Sequence, residues 1–170
     1  SGLVVIDKSN AASEGEAAPG GVGVYEQGFS VNIDVAAGHS IFDLVVDDLL
    51  PAGMQYVGPV TISGGINGVA LLEPSTVTPG GTLRVAFDRI DGVVGNEVTI
   101  SYLTRVPDVL DESNCAVSTL TNNLMFDYEF PDDTPQASLL SSSDITTKHM
   151  VLQQGVASSQ AMSGDTVTFT

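Results

Sequence analysis

Short runs rich in Val, Ile, Thr, Phe and Tyr, alternating with polar residues, recur along most of the chain, and Gly, Pro, Asp and Asn interrupt them at short intervals. Side chains two positions apart share one face of a strand, so a period of two buries one face and wets the other. No stretch carries the 3.6-residue period of an amphipathic helix. The runs predict strands at 3–8, 25–35, 41–48, 55–62, 82–90, 97–106 and 117–130. Seven such strands with turn signals between them predict an all-β fold, an immunoglobulin-like β-sandwich of about seven to nine strands.

Alternation also assigns faces. In the third strand Phe42, Leu44 and Val46 fall on the face of Asp48, and Asp43, Val45 and Asp47 fall on the other. In the sixth, Val98, Ile100, Tyr102 and Val106 oppose Thr99, Ser101 and Arg105. Residues 9–21, SNAASEGEAAPGG, have no apolar period and read as a flexible loop.

At 170 residues with 42% apolar content, the chain is large enough to bury a core of its own. Its 21 acidic and 5 basic residues give a net charge of −16, which argues against nucleic acid and anionic membrane surfaces as partners. Charged residues are only 15% of the total, so the imbalance reflects a scarcity of Lys and Arg, and the surface is mainly Ser, Thr, Asn, Gln and Gly. A single cysteine, Cys115, excludes an intrachain disulfide and a multi-cysteine metal site. No run reaches the length of a membrane span, and the opening SGLVVIDKSN lacks the basic and apolar regions of a signal peptide.

The chain echoes itself. Lys8 closes a strand-like run, and Glu26 follows at the approach to a second strand with Phe29, Val31, Ile33 and Val35 at alternate positions. Lys148 follows DITT, and Gly164 then opens SGDTVTFT, another alternating start. Residues 1–142 are therefore read as one complete sandwich repeat, and 143–170 as the first two strands of the next. A two-stranded piece leaves ladder groups open, so it is expected to pack on the first repeat or to add to another copy.

Several segments, in order, resemble the repeat domain of bacterial surface proteins, including the isopeptide-forming fimbrial and adhesin type. They are Lys8 after the first strand, VVDDLLPAGMQYV at 45–57, GNEVTISYLTRVPD at 95–108, LTNNLMFDYEF at 120–130 and the closing SGDTVTFT. Asp48 to Gly53 is the most specific of them. The glycine-aspartate turn expected before the second strand is replaced by Glu26 and Gln27.

The resemblance implies an extracellular or cell-surface stalk or adhesin repeat, with neighbouring repeats of the same chain, and other copies joined by strand addition, as partners. In some members a lysine and an asparagine condense to an amide, assisted by a buried acid. The matching positions here are Lys8 and Asn122, with Asp48 as the acid. Such chemistry needs a neutral amine beside a side-chain carbonyl, and a protonated carboxyl to polarise the amide and shuttle protons. Parity agrees independently: Lys8 shares a face with Val4 and Ile6, Asp48 with Leu44 and Val46, and Asn122 with Leu124 and Phe126, whereas Asn123 goes with Met125 and Asp127. The two lysines of the chain, Lys8 and Lys148, both sit at repeat starts. Residue chemistry alone also accommodates a plain strand-end lysine paired with Asp7 or Asp48, an asparagine satisfying a turn, and an aspartate capping one. The amide would tie the first strand to the last and block shear between them.

Acidic groups at Asp47–Asp48, Asp108–Asn114 and Asp132–Asp133 have the oxygen chemistry of calcium ligands, but none follows the EF-hand pattern, so calcium is a possible ligand and no other cofactor is implied. His39, in AAGHS, reads as a solvated loop residue and His149 falls in the partial repeat. Cys115 has no basic neighbour to stabilise a thiolate. Gly64–Gly65 and Gly80–Gly81 punctuate turns and no helix follows them. No arrangement for catalytic turnover is present. The alternative to a structural repeat is a binding module for calcium, a glycan or a protein; the absence of Trp and an aromatic content of 6% weigh against glycans.

Overall fold

The computed structural model describes residues 3–10, 25–64, 67–94, 97–106, 118–132, 134–136 and 139–147. All regular structure among them is β: β1 (Val4–Asn10), β2 (Tyr25–Val35), β3 (Ser40–Leu50), β4 (Gln55–Tyr56), β5 (Thr61–Ser63), β6 (Asn67–Leu72), β7 (Gly81–Asp91), β8 (Val98–Val106), β9 (Ser118–Glu129) and β10 (Leu139–Thr147). They form two antiparallel sheets. One runs β1-β2-β8-β4, with β5 also on β8; the other runs β10-β9-β3-β7-β6. This is the immunoglobulin-like sandwich that the period-two pattern predicts, with ten strands where seven to nine were expected.

Three differences account for the count. The expected strand at 55–62 is two short strands, because Gly58, at φ 66°, and Pro59, which has no N–H, stand between β4 and β5. β6 was missed because its residues NGVALL are exposed throughout, so no alternation of burial marks it. β10 was not counted in this sandwich because its centre, Ser141–Ser143, has little strand preference and its second half was read as the first strand of a following repeat; its pairing with β9 joins it to this sheet. The boundary expected after residue 142 falls within β10, which continues to Thr147 opposite Ser118. Lys148, His149 and the remainder of 148–170 lie outside the described residues, as do Cys115 and the loop at 11–24.

The core lies between the sheets. Phe29, Val31 and Ile33 of β2 and Val98, Ile100 and Tyr102 of β8 face Leu44 and Val46 of β3, Leu83, Val85 and Phe87 of β7, and Leu124 and Phe126 of β9. Each buried apolar side chain contributes about 1.5–3 kcal/mol. The face assigned to Phe42 is corrected. Asp43 takes φ 49°, the register against β9 shifts between Phe42 and Val45, and Ile41 rather than Phe42 is buried next to Leu44. Phe42 lies on the outer face opposite Arg89, whose guanidinium sits 5.4 Å from its ring centre.

Chain direction places the two ends of the described fold apart. The amide of Ala36, just past β2, bonds the carbonyl of Leu3 at 2.9 Å, and the turn to β3 brings Phe42 opposite Glu129 at the end of β9. The chain therefore enters β1 at the end where β9 finishes, and β10 finishes at the opposite end, beside the start of β9. At the entry end Gly92 is wedged against the 35–36 backbone: a Cβ there would lie 2.1 Å from the Ala36 carbonyl oxygen.

Candidate functional site

Lys8 follows Ile6 on the inner face of β1 and stands opposite Val31, so its amine enters the sandwich among apolar side chains. Asp48 arrives from the other sheet, between Leu124 of β9 and Leu83 of β7. Asn122, two positions before Leu124, shares its inward face and stands opposite Ser143. The structure thus brings together the three residues that parity selected, and leaves Asn123 exposed. The Lys8 side chain is 0% exposed, Asp48 2% and Asn122 0%.

At the centre is a residue that sequence reasoning placed only in the core. Tyr102 of β8, opposite Phe29, directs its hydroxyl into the same pocket. That hydroxyl donates to Asp48 Oδ2, and its oxygen accepts from Lys8 Nζ at 3.2 Å and from Asn122 Nδ2 at 2.9 Å. Lys8 Nζ is 2.5 Å from Asp48 Oδ2. The amine also lies 5.2 Å from the ring centre of Phe29 and 5.8 Å from that of Tyr102, and these two rings stack. The signal for Tyr102 was present in the sequence: a tyrosine on the buried face of a central strand needs a partner for its hydroxyl, and only the polar inward residues offer one.

Burial dominates the electrostatics. Desolvation lowers the Lys8 pKa to about 8, against the opposing pull of the Asp48 carboxylate. Desolvation likewise raises Asp48 above the usual carboxyl range, although Lys8, Tyr102 and the adjoining Asn122 amide all favour its charged form. Tyr102 is pushed up by burial and by Asp48, so its hydroxyl keeps its proton. Both members of the Lys8–Asp48 pair are shifted towards their neutral forms. Two oxygens in the pocket, Asp48 Oδ1 and Asn122 Oδ1, have no hydrogen-bond partner among the described residues. An acid proton on the first, donated to the second, would satisfy both. The arrangement therefore brings an amine that burial makes easier to deprotonate, a side-chain amide and a carboxyl group together in a buried pocket.

Of the acidic groups weighed for calcium, the described members are not brought together. Asp47 points outward into a bidentate pair with Arg84, at 2.6 Å on each arm, while Asp48 points inward. Asp132 accepts from the amide of Thr134, and Asp133 and 108–114 lie outside the described residues. Among the described residues no group of three His, Cys, Asp or Glu is placed to hold a metal. His39 lines an open groove of about 530 Å³ with Leu3, Phe130 and Asp132 at the entry end.

The architecture defines an immunoglobulin-like β-sandwich, a fold it shares with solved pilin and surface-adhesin structures. It is similar to a variant of BcpA, the major pilin subunit of Bacillus cereus, with a TM-score of 0.61 and 12% identity over 85% of this chain and 40% of that one. The full-length major pilin SpaD of Corynebacterium diphtheriae matches with a TM-score of 0.55 and 13% identity, over 85% and 35% of the two chains. ACE19, the collagen binding subdomain of the Enterococcus faecalis surface protein ACE, matches with 0.50 and 9%, over 85% and 98%. At these identities the likeness is one of fold, and this chain spans less than half the length of either pilin subunit. No protein-family model matches the sequence, and no curated protein matches it.

Proposed function

We propose that the chain is a structural stalk or spacer repeat of a bacterial cell-surface adhesin or fibrous protein, locked by an amide between Lys8 and Asn122 that forms with the help of Asp48. The observation that carries this reading is the convergence, from two sheets, of a fully buried lysine, aspartate and asparagine. The pilin and adhesin folds it resembles, and the entry and exit of the chain at opposite ends, support the same reading. An unreacted set of this kind is costly, because a buried ion pair is seldom repaid by its own attraction. A neutral amide removes both the charge and the mobile side-chain ends.

In the reaction Lys8 Nζ, as the free amine, adds to Cγ of Asn122. The Asp48 carboxyl donates to the carbonyl oxygen, making Cγ more electrophilic and holding the developing oxyanion. The Nζ–Cγ bond forms, the Cγ–Nδ2 bond breaks, one proton passes from Nζ to Nδ2, and ammonia leaves. Asp48 ends as it began. The event occurs once per chain and is not turnover.

The intact mass of the denatured chain tests this. A deficit of one ammonia, abolished by Lys8→Ala and by Asn122→Ala, is expected. A mass equal to that of the sequence refutes the cross-link. A second reading, assembly by strand addition, is favoured by β6, an edge strand with Val69, Leu71 and Leu72 exposed. It predicts a concentration-dependent elution volume, and an unchanging monomer on dilution refutes it.

A further inference from the structure

We propose that the Tyr102 hydroxyl is the proton relay of this condensation, carrying a proton from the attacking nitrogen of Lys8 to the departing nitrogen of Asn122. The inference rests on the reading above and assigns a residue that the lysine, aspartate and asparagine set leaves out. Amide formation requires a net transfer of one proton, from Nζ, which begins with two and ends with one, to Nδ2, which begins with two and leaves with three. Tyr102 Oη is hydrogen-bonded by both of these atoms at once, at 3.2 and 2.9 Å.

The directions of the hydrogen bonds fit the order of events. A planar amide nitrogen has no available lone pair, so before reaction Nδ2 can only donate, and it donates to Tyr102. Once Nζ has added to Cγ, Nδ2 becomes a pyramidal amine with a lone pair directed at its former acceptor. The hydroxyl, which points at Asp48 Oδ2 in the resting site, then turns its proton onto Nδ2 while its oxygen takes the proton that Nζ must lose. Tyr102 gains one proton and gives one, so it is unchanged, and its ring is held in place by the stack on Phe29 throughout. Asp48 stays free to hold its proton towards the carbonyl oxygen.

The test is the rate of ammonia loss when chain from inclusion bodies, never previously folded, is diluted out of urea and aliquots are quenched for intact mass. Tyr102→Phe keeps the ring and removes the relay, and is expected to slow the condensation about 100-fold or more. Formation of the amide by Tyr102→Phe within about threefold of the parent rate overturns the relay. A parent that never loses ammonia overturns the underlying reading instead, and the two failures are thus told apart. Fluorotyrosines placed at position 102 retain the hydroxyl and its partners, so they separate proton transfer from positioning. The rate is expected to follow hydroxyl acidity across the series and to carry a solvent deuterium effect. A rate flat across the series refutes the relay.

Discussion

Replacing Lys8 by Met removes the nucleophile and keeps an unbranched side chain beneath Phe29 and Tyr102. Lys8 and Asn122 are 114 positions apart in the chain. The chain-entropy relation for a cross-link closing a loop of that size gives about 5 kcal/mol at 25 °C, acting through the unfolded state. For a domain of this length that corresponds to a fall of about 15 °C in Tm. Because the parent's unfolded chain remains looped and exposes less surface, the variant is also expected to show the larger m-value in urea. Asp48→Asn, which keeps the lysine and lacks the acid, is expected to move stability and m in the same direction with unreacted mass. Urea titrations followed by circular dichroism, with mass measured on the same samples, read all three quantities. A parent lacking one ammonia but matching Lys8→Met in both midpoint and m-value refutes the entropic argument.

Asn123→Ala, on the exposed face of β9, is expected to leave the ammonia deficit intact and to change stability by less than about 0.5 kcal/mol. In Asn122→Ala the amide cannot form and Lys8 remains an amine with its pKa lowered from 10.5 to about 8. Between those values the unfolded chain holds the proton that the folded chain has released, so urea stability should rise with pH across the window, by at most about 3 kcal/mol. A flat or falling profile there contradicts the assignment of Lys8 as a desolvated amine. Condensation in the parent should show a bell-shaped pH–rate profile, slowed in acid as Lys8 is protonated and in alkali as Asp48 loses its proton. Gly92→Ala drives a Cβ into the carbonyl of Ala36 and should cost about 2–4 kcal/mol, seen as a lower thermal midpoint.

Long strands with strict alternation were legible in the sequence. β2 has the expected bounds, and the inward sets Val4, Ile6, Lys8 and Val98, Ile100, Tyr102 follow from parity because neither strand contains a bulge. The Lys8, Asp48 and Asn122 cluster was legible for the same reason, since each is a polar residue out of place on an apolar face. Phe42 was misassigned because a single residue, Asp43, leaves the β region and resets the count. β6 was invisible because its exposure erases the periodic signal, and β10 was read only from residue 143 and given to the next repeat because its serine-rich centre hides its first half. Tyr102 fits the core by composition alone, and only the convergence of two sheets shows where its hydroxyl ends.

The placement of chain entry and exit at opposite ends determines where tension would travel if the chain were pulled. With the amide in place, force entering at Leu3 passes up β1 to Lys8, crosses to Asn122 and leaves along β9 and β10, and residues 9–121 carry none of it. Only the six residues from Leu3 to Lys8 and the twenty-six from Asn122 to Thr147 remain in series. At about 3.4 Å per residue, the fully extended path is about 110 Å long, against about 490 Å for the same span without the amide. Extensibility then resides in the β9–β10 hairpin, with the sandwich core mechanically shielded behind one covalent bond.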